Sequence, residues 1–192
     1  AEKKAAIAAL KQTLTKSTLA AADKSAGRAL FVKTCATCHK FYGEGQTVGP
    51  DLTGANLVGA DLSSASLQGA NLQESYIQAN LRKADLRGAD MRAAGLWGVH
   101  MNFADLRGAN LQGATVKGDF MEADLRAADL RWASMEESNL HKANLDGAVL
   151  LGATSLSCEA LTIAQNWESA IRSPELACGA PLPPIPPEYL PE

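Results

Sequence analysis

The chain predicts a mainly β solenoid with a helical lobe before it and a helical cap after it. Three observations carry that reading. From residue 51 to about residue 150 the sequence repeats every five residues, as in Ala55-Asn56-Leu57-Val58-Gly59 and Ala109-Asn110-Leu111-Gln112-Gly113. A period of five matches neither the alternation of a plain strand nor the turn of a plain helix. Self-similarity at a fixed short period instead marks stacked repeats. Before the repeats, Ile7, Leu10 and Leu14 sit at helical spacing in a stretch rich in Ala and Lys. After them, Ala160, Leu161, Ala164 and Trp167 do the same.

Taken in order, residues 1–22 form an amphipathic helix of good propensity. Asp23 or Ser25 then caps a second helix that runs through Leu30 and Phe31. Glycines at 43, 45 and 49 mark a loop from Phe41 to Pro50. Within the repeats, small Ala and large Leu recur at fixed places, which suits an interior of alternating small and large side chains. The intervening positions are polar and face water. The period loses a residue near 73–78 and again near 114–117. Asp119-Phe120 in the Asp/Asn-Leu places resolve the second slip, whereas the first leaves either Tyr76 or Ile77 pointing inward. A helix over Ser157–Ser173 is expected to close the open end, as terminal elements of stacked repeats must. Seven prolines between Pro174 and Pro191 make an extended tail. The implied domains are 1–50, 51–155 and 156–192.

The chain has 192 residues and a net charge of −3, with acids and bases interspersed, so no electrostatic footprint for nucleic acid is expected. No apolar run reaches the length of a bilayer span. Residues 35–39 read Cys35-Ala36-Thr37-Cys38-His39. Two thiols three positions apart followed by a histidine form the attachment signature of a c-type haem. Each thiol can bond one vinyl carbon, and His39 then lies beneath the iron as axial ligand. A bare C-x-x-C also suits a redox dithiol or half a zinc site. The adjacent histidine, and the lack of a second Cys/His pair at zinc spacing, argue against both. Cys158 and Cys178 remain as one pair, either a disulfide or two unrelated buried thiols. A disulfide there closes a loop of about twenty residues, worth roughly 3 kcal/mol. Thioether-bound haem and a disulfide both point outside the cytoplasm, so a periplasmic protein that has lost its signal peptide is expected.

The repeats resemble the pentapeptide-repeat family, whose motif is A-(D/N)-L-x-x, over about half the chain. The resemblance implies a right-handed quadrilateral β-helix with four repeats per coil. It also puts Leu and the Ala two places before it inside. About five coils then make a rod of about 24 Å. A shorter stretch, from Gly27-Arg28-Ala29-Leu30-Phe31 through Cys35–His39 to Gly49-Pro50-Asp51-Leu52, resembles class I cytochromes c. That resemblance implies that Pro50 orients His39 through its backbone carbonyl, the supporting contact expected of an iron-bound imidazole. The family's later segment with its distal methionine is missing, because the repeats begin at once. The solenoid is therefore expected to supply the missing wall of a haem pocket.

Met91, Met101 and Met135 fall in the inward Leu place and read as core. His100, Met121 and His141 fall outward, on one face when four repeats make a coil. His100 is the expected distal iron ligand, Met121 the alternative, and His141 plain surface. The repeat is most irregular from Gly95 to Phe103. Trp97 and Phe103 point outward there, and below Trp97 the column is expected to continue as Ile77 or Tyr76 and then Val58. Such a stripe needs a cover, so Ile77, Trp97 and Phe103 are expected to pack against one covalent haem.

The leading functional expectation is an electron-transfer cytochrome with a redox partner protein, without nucleic acid and without a membrane span. The alternatives are a peroxidase-like haem enzyme or small-ligand sensor, with Arg92 or His100 assisting, and an interaction protein in which the solenoid acts. DNA mimicry is known among pentapeptide-repeat proteins with strongly acidic surfaces. It is not expected of a rod carrying Arg82, Lys83, Arg87, Arg92, Arg107, Arg126 and Arg131.

Overall fold

The computed structural model describes residues 49–189. These lie in the second of two units into which the chain divides, Ala1–Phe41 and Tyr42–Glu192. The expected N-terminal helices, and Cys35, Cys38 and His39 with them, lie outside the described residues.

The five-residue repeat folds as predicted into a parallel ladder. Asp51 bridges Asn71, Asn71 bridges Asp90, Asp90 bridges Asn110, and Asn110 bridges Asp129, so one coil takes 19 or 20 residues and four repeats. Each coil hydrogen-bonds the next through short backbone contacts, such as Leu67 N–H to Asp85 O at 2.7 Å and Asp85 N–H to Ala65 O at 2.9 Å. Stacking every strand on another satisfies its backbone groups, which a lone five-residue repeat cannot do.

The core is the column of Leu places, filled by Leu67, Leu86, Leu106 and Leu125 with no exposed surface, and by Met91, Met101 and Met135 in the same role. Between the large side chains stand alanines such as Ala70, Ala89 and Ala109, also fully buried. Where serine replaces alanine the hydroxyl is satisfied locally. Ser75 Oγ donates to Leu72 O at 2.6 Å, and Ser138 Oγ to Val116 O at 3.1 Å.

Both slips in the period are resolved. The bridge Asn56–Tyr76 spans 20 residues and the next, Asp61–Asn80, spans 19, so one residue is lost between Tyr76 and Asn80. Ile77 takes the inward place at 1% exposure and Tyr76 stands outside at 66%. The expectation that Ile77 offers an outward apolar surface is thereby corrected. In the second slip Asp119 bridges Asn139 and Phe120 is buried, as expected. Between the two short repeats lies a full-length one, which forms the longest strand. This strand, β1 (Gly95–His100), pairs in parallel with β2 (Thr115–Asp119), with a bulge between Trp97 and Val99. Gly98, at φ 65°, is the extra residue. Opposite it, a Cβ on Gly118 would lie 2.5 Å from both the carbonyl oxygen and Cγ1 of Val99, so only glycine fits.

The C-terminal cap differs from the expected long helix. Only α1 (Cys158–Thr162) is α-helical, N-capped by Ser157, whose side chain accepts from Ala160 N–H at 3.1 Å. Gln165 then rejoins the ladder against Asn144. A short strand then follows, β4 (Ile171–Arg172), which pairs in parallel with β3 (Val149–Leu150) of the coil beneath. The apolar spacing is helical, but ladder hydrogen bonds such as Gln165 N–H to Ala143 O at 2.8 Å win over local propensity. Cys158 and Cys178 are joined by a disulfide, with their Cα atoms 5.3 Å apart. The proline segment folds back on the rod, where the Tyr189 ring lies 4.9 Å from the Arg131 guanidinium.

The cap is organised by Arg172, which is 1% exposed. Its Nε donates to Ala170 O at 3.1 Å. Nη1 donates to Leu176 O at 2.9 Å and Ala177 O at 3.1 Å, and Nη2 to Glu168 O at 3.2 Å and Pro181 O at 3.0 Å. The guanidinium also lies 4.8 Å from the Trp167 ring centre. Burial pulls its pKa below the ordinary arginine value.

Candidate functional site

The outward positions obey a local rule. An Asp or Asn before each inward Leu accepts, through Oδ1, the backbone N–H two residues on, as Asn56 does from Val58 at 3.1 Å. Where an Asp is followed two residues on by arginine, that arginine's side chain folds back onto the same carboxylate. Arg107 Nε donates to Asp105 Oδ1 at 2.8 Å and Nη2 to Asp105 Oδ2 at 2.7 Å. Arg87 with Asp85, Arg92 with Asp90, Arg126 with Asp124 and Arg131 with Asp129 form the same two-pronged pair. On one face the pairs also link across coils, since Arg87 Nε lies 3.6 Å from Asp105 and Arg107 Nε 3.6 Å from Asp124.

These hydrogen bonds hold the Asp85, Asp90 and Asp124 carboxyls below the usual carboxylate range. For Asp129, burial pushes upward, but hydrogen bonds from Arg131 and Gln112 outweigh it and the net shift is downward. Five of the solenoid's arginines are thus neutralised where they stand.

The face built from the repeats at 76, 95 and 115 is different. Tyr76 replaces the usual Asp or Asn, and Gly95, bridging it on the next coil, has no side chain to cover it. A Cβ placed on Gly95 would meet Tyr76 Cδ1 at 3.5 Å and Trp97 Nε1 at 3.7 Å, so the two rings flank the bare glycine. The result is a shallow surface hollow of about 390 Å³, lined by Glu74, Tyr76, Ala93, Gly95, Trp97 and Thr115 among others. Trp97 is 61% exposed. Below it the column reads Gln78 and then Val58, which corrects the expected continuous stripe. A four-residue repeat shifts register by one, and that shift sends Ile77 inward.

Phe103 belongs to the next face. It adopts φ 60° at a corner that glycine fills in other repeats, and Arg82 covers its ring at 5.6 Å. That face also brings together His100, Met121 and His141, as four repeats per coil requires. His100 stands between Asn80 and Asp119 in one column, while Phe103 N–H donates to Met121 O and Glu122 N–H to His141 O in the neighbouring ones. His100 is exposed and Met121 half-buried. A residue that sequence reasoning missed anchors this face. Asn102, 1% exposed, accepts from Arg82 Nη1 at 3.1 Å and donates to Asp119 Oδ2 at 2.5 Å. Asp119 also accepts from Asn139 at 2.9 Å. Nothing in the motif marks position 102, because its partners Arg82 and Asp119 come from the coils on either side.

Pro50 enters the ladder at its first rung, where its carbonyl accepts Asn71 N–H at 2.9 Å. Its expected partner His39 lies outside the described residues. Among the described residues there is no group of three or more His, Cys, Asp or Glu side chains that could hold a metal ion, and no helix long and apolar enough to cross a membrane.

Comparison with known proteins agrees with this geometry. Pentapeptide repeats match in eight copies over residues 49–76, 77–98, 92–118 and 119–154, more than half of the chain. Among solved structures the chain is similar to HetL, a pentapeptide repeat protein involved in heterocyst differentiation regulation from the cyanobacterium Nostoc sp. strain PCC 7120. The identity is 31% and the TM-score 0.53, covering 60% of this chain and 49% of HetL. The chain therefore spans about half the length of that relative. A pentapeptide repeat protein from Cyanothece 51142 shares 23% identity at a TM-score of 0.37, over 65% of this chain and 85% of its own. No curated protein matches the chain in sequence. By its repeats and its ladder, the chain belongs to the pentapeptide-repeat family.

Proposed function

We propose that the solenoid is an interaction scaffold, and that the whole chain couples it to one covalently attached haem that transfers electrons outside the cytoplasm. The observation that carries the scaffold reading is the Tyr76–Trp97 hollow. On a surface of paired charges, two large rings at 66% and 61% exposure mark a contact site for another molecule. HetL, described as involved in regulation, is consistent with a solenoid that works by contact.

The haem reading rests on Cys35-Ala36-Thr37-Cys38-His39, in which the thiols attach the porphyrin and His39 is the axial ligand. Bound haem supplies a one-electron centre whose potential follows its axial ligands and surroundings. The Cys158–Cys178 disulfide supports an oxidising compartment, the same one in which thioether haem is fitted.

An optical redox titration of the full chain, made with haem-attachment machinery, tests the electron-carrier part. A reversible one-electron step, with a spectrum unmoved by cyanide or peroxide, is expected. Rapid binding of either ligand would replace the carrier by a haem enzyme or sensor. Cross-linking to proteins of the same compartment tests the scaffold, with loss of product expected in a Tyr76→Ser/Trp97→Ser variant.

A further inference from the structure

On the scaffold reading, on which this inference rests, the Tyr76–Trp97 hollow has an occupant that chemistry defines. Among the described residues the other aromatic rings that reach the surface each stand beside an arginine, whereas Phe120 lies in the core. Arg82 lies 5.6 Å from the Phe103 ring centre, Arg131 lies 5.3 Å from Trp132 and 4.9 Å from Tyr189, and Arg172 lies 4.8 Å from Trp167. Tyr76 and Trp97 have no such cation among the described residues, although they are as exposed as any ring in the rod. A guanidinium over an aromatic face is held by the ring quadrupole, and the hold strengthens where water is excluded.

Charge on the same face points the same way. Glu74 stands at the edge of the hollow, and Glu136 and Glu137 follow on the repeat that bridges Thr115. Against them the described residues of the repeats at 76, 95, 115 and 134 include a single base, Lys117, held by Glu137 at 2.9 Å. A neutral apolar guest would gain from the rings but nothing from this acidic surround. Among the described residues a second copy is a poor donor, because its arginines at 87, 92, 107, 126 and 131 are tied to their own aspartates, Arg82 donates to Asn102, and Arg172 is buried.

The geometry points to the Tyr76–Trp97 hollow as the seat of an arginine side chain presented by a basic partner protein. The guanidinium lies between the two rings above Gly95 with Glu74 as counter-charge.

The test uses the full chain and a defined probe, a flexible Gly/Ser peptide carrying three arginines, beside the same peptide with citrulline at each arginine. Binding is read from the indole N–H resonance of Trp97, assigned by its loss in Trp97→Phe. The arginine peptide is expected to shift that resonance saturably, about tenfold more tightly than the citrulline peptide, and less tightly at high salt. Glu74→Gln should weaken binding severalfold. Gly95→Val should abolish it without unfolding the rod. Gly95 is not in the left-handed region, and its Cβ would make only ordinary contacts with the two rings.

Equal affinity for the citrulline peptide, a response at Trp132 in place of Trp97, no response at Trp97, or full binding by Gly95→Val would each overturn the site. So would a Trp97 shift driven by protein concentration alone, which would name a second copy as occupant. A natural partner that still cross-links to Gly95→Val would remove this site and leave the scaffold reading standing.

Discussion

Replacing Arg172 by methionine keeps an unbranched apolar stem and removes all five donors. The native guanidinium serves five backbone carbonyls, and two of those bonds, to Ala170 O and Leu176 O, are fully buried. The bonds to Ala177, Glu168 and Pro181 are only partly buried, so water can replace the donor there. Each fully buried carbonyl left without a donor costs about 1–3 kcal/mol. Loss of the contact with Trp167 adds about 1 kcal/mol. Removing a buried charge returns part of its desolvation cost. The net expectation is a loss of about 3 kcal/mol, concentrated in the last coil. Urea unfolding should show the loss, and hydrogen exchange should place it. The amides of Gln165 and Ile171, which donate to Ala143 O and Ala148 O, should lose protection before those of central rungs such as Leu86 and Leu106. Arg172→Lys should fall between, because an ammonium has three donors and no planar fork. A methionine variant within 0.5 kcal/mol of wild type, with Gln165 and Ile171 still protected, would refute the view that this arginine organises the cap.

Three further outcomes follow from the same geometry. Breaking the disulfide by Cys158→Ser with Cys178→Ser reopens a loop of sequence separation 20, and should cost about 3 kcal/mol in thermal or urea unfolding. Gly118→Ala pushes a methyl against the Val99 carbonyl, and should cost roughly 1–3 kcal/mol by urea unfolding, since backbone cannot yield as a flexible side chain can. Asp85, Asp90, Asp124 and Asp129 have folded-state pKa values below their unfolded values. Their stabilisation is therefore complete above the unfolded carboxylate range near pH 4 and is lost as the pH falls through the depressed folded values. Thermal melts should be flat in pH from about 7 to 5 on account of these groups and decline below about 4. The decline should be shallower in Asp105-sparing variants that replace the other four aspartates by asparagine.

Much of the rod was legible because its motif is a direct transcript of its cross-section. Leu and Ala mark the inside, and Asp or Asn marks the residue whose side chain closes the following turn. Phe120 and the three inward methionines followed from counting alone. The count failed where a repeat lost a residue next to two large side chains, Tyr76 and Ile77, because either could fill the core and only the ladder register decides. The cap misled for another reason. Ala160, Leu161, Ala164 and Trp167 have helical spacing, yet Asn166 turns into the left-handed region at φ 55° and Gln165 pairs with the coil beneath. Long-range backbone pairing of this kind leaves no local signature. Arg172 and Asn102 were illegible for the same reason, since their burial depends on segments distant in sequence. The hollow was half legible. Trp97 announced itself as an outward ring, whereas its companion Tyr76 emerged only with the register.

The proposed attachment of one haem through Cys35 and Cys38 decides between an electron carrier and a bare scaffold. Intact mass spectrometry under denaturing conditions tests it most directly, on the chain exported from cells whose haem-attachment machinery loads a control cytochrome. The expected mass is increased by one haem, an increase retained after acid extraction and absent in Cys35→Ser/Cys38→Ser. An unmodified mass for the wild-type chain, with the control fully loaded, would contradict the claim and leave the solenoid as the working part of the protein.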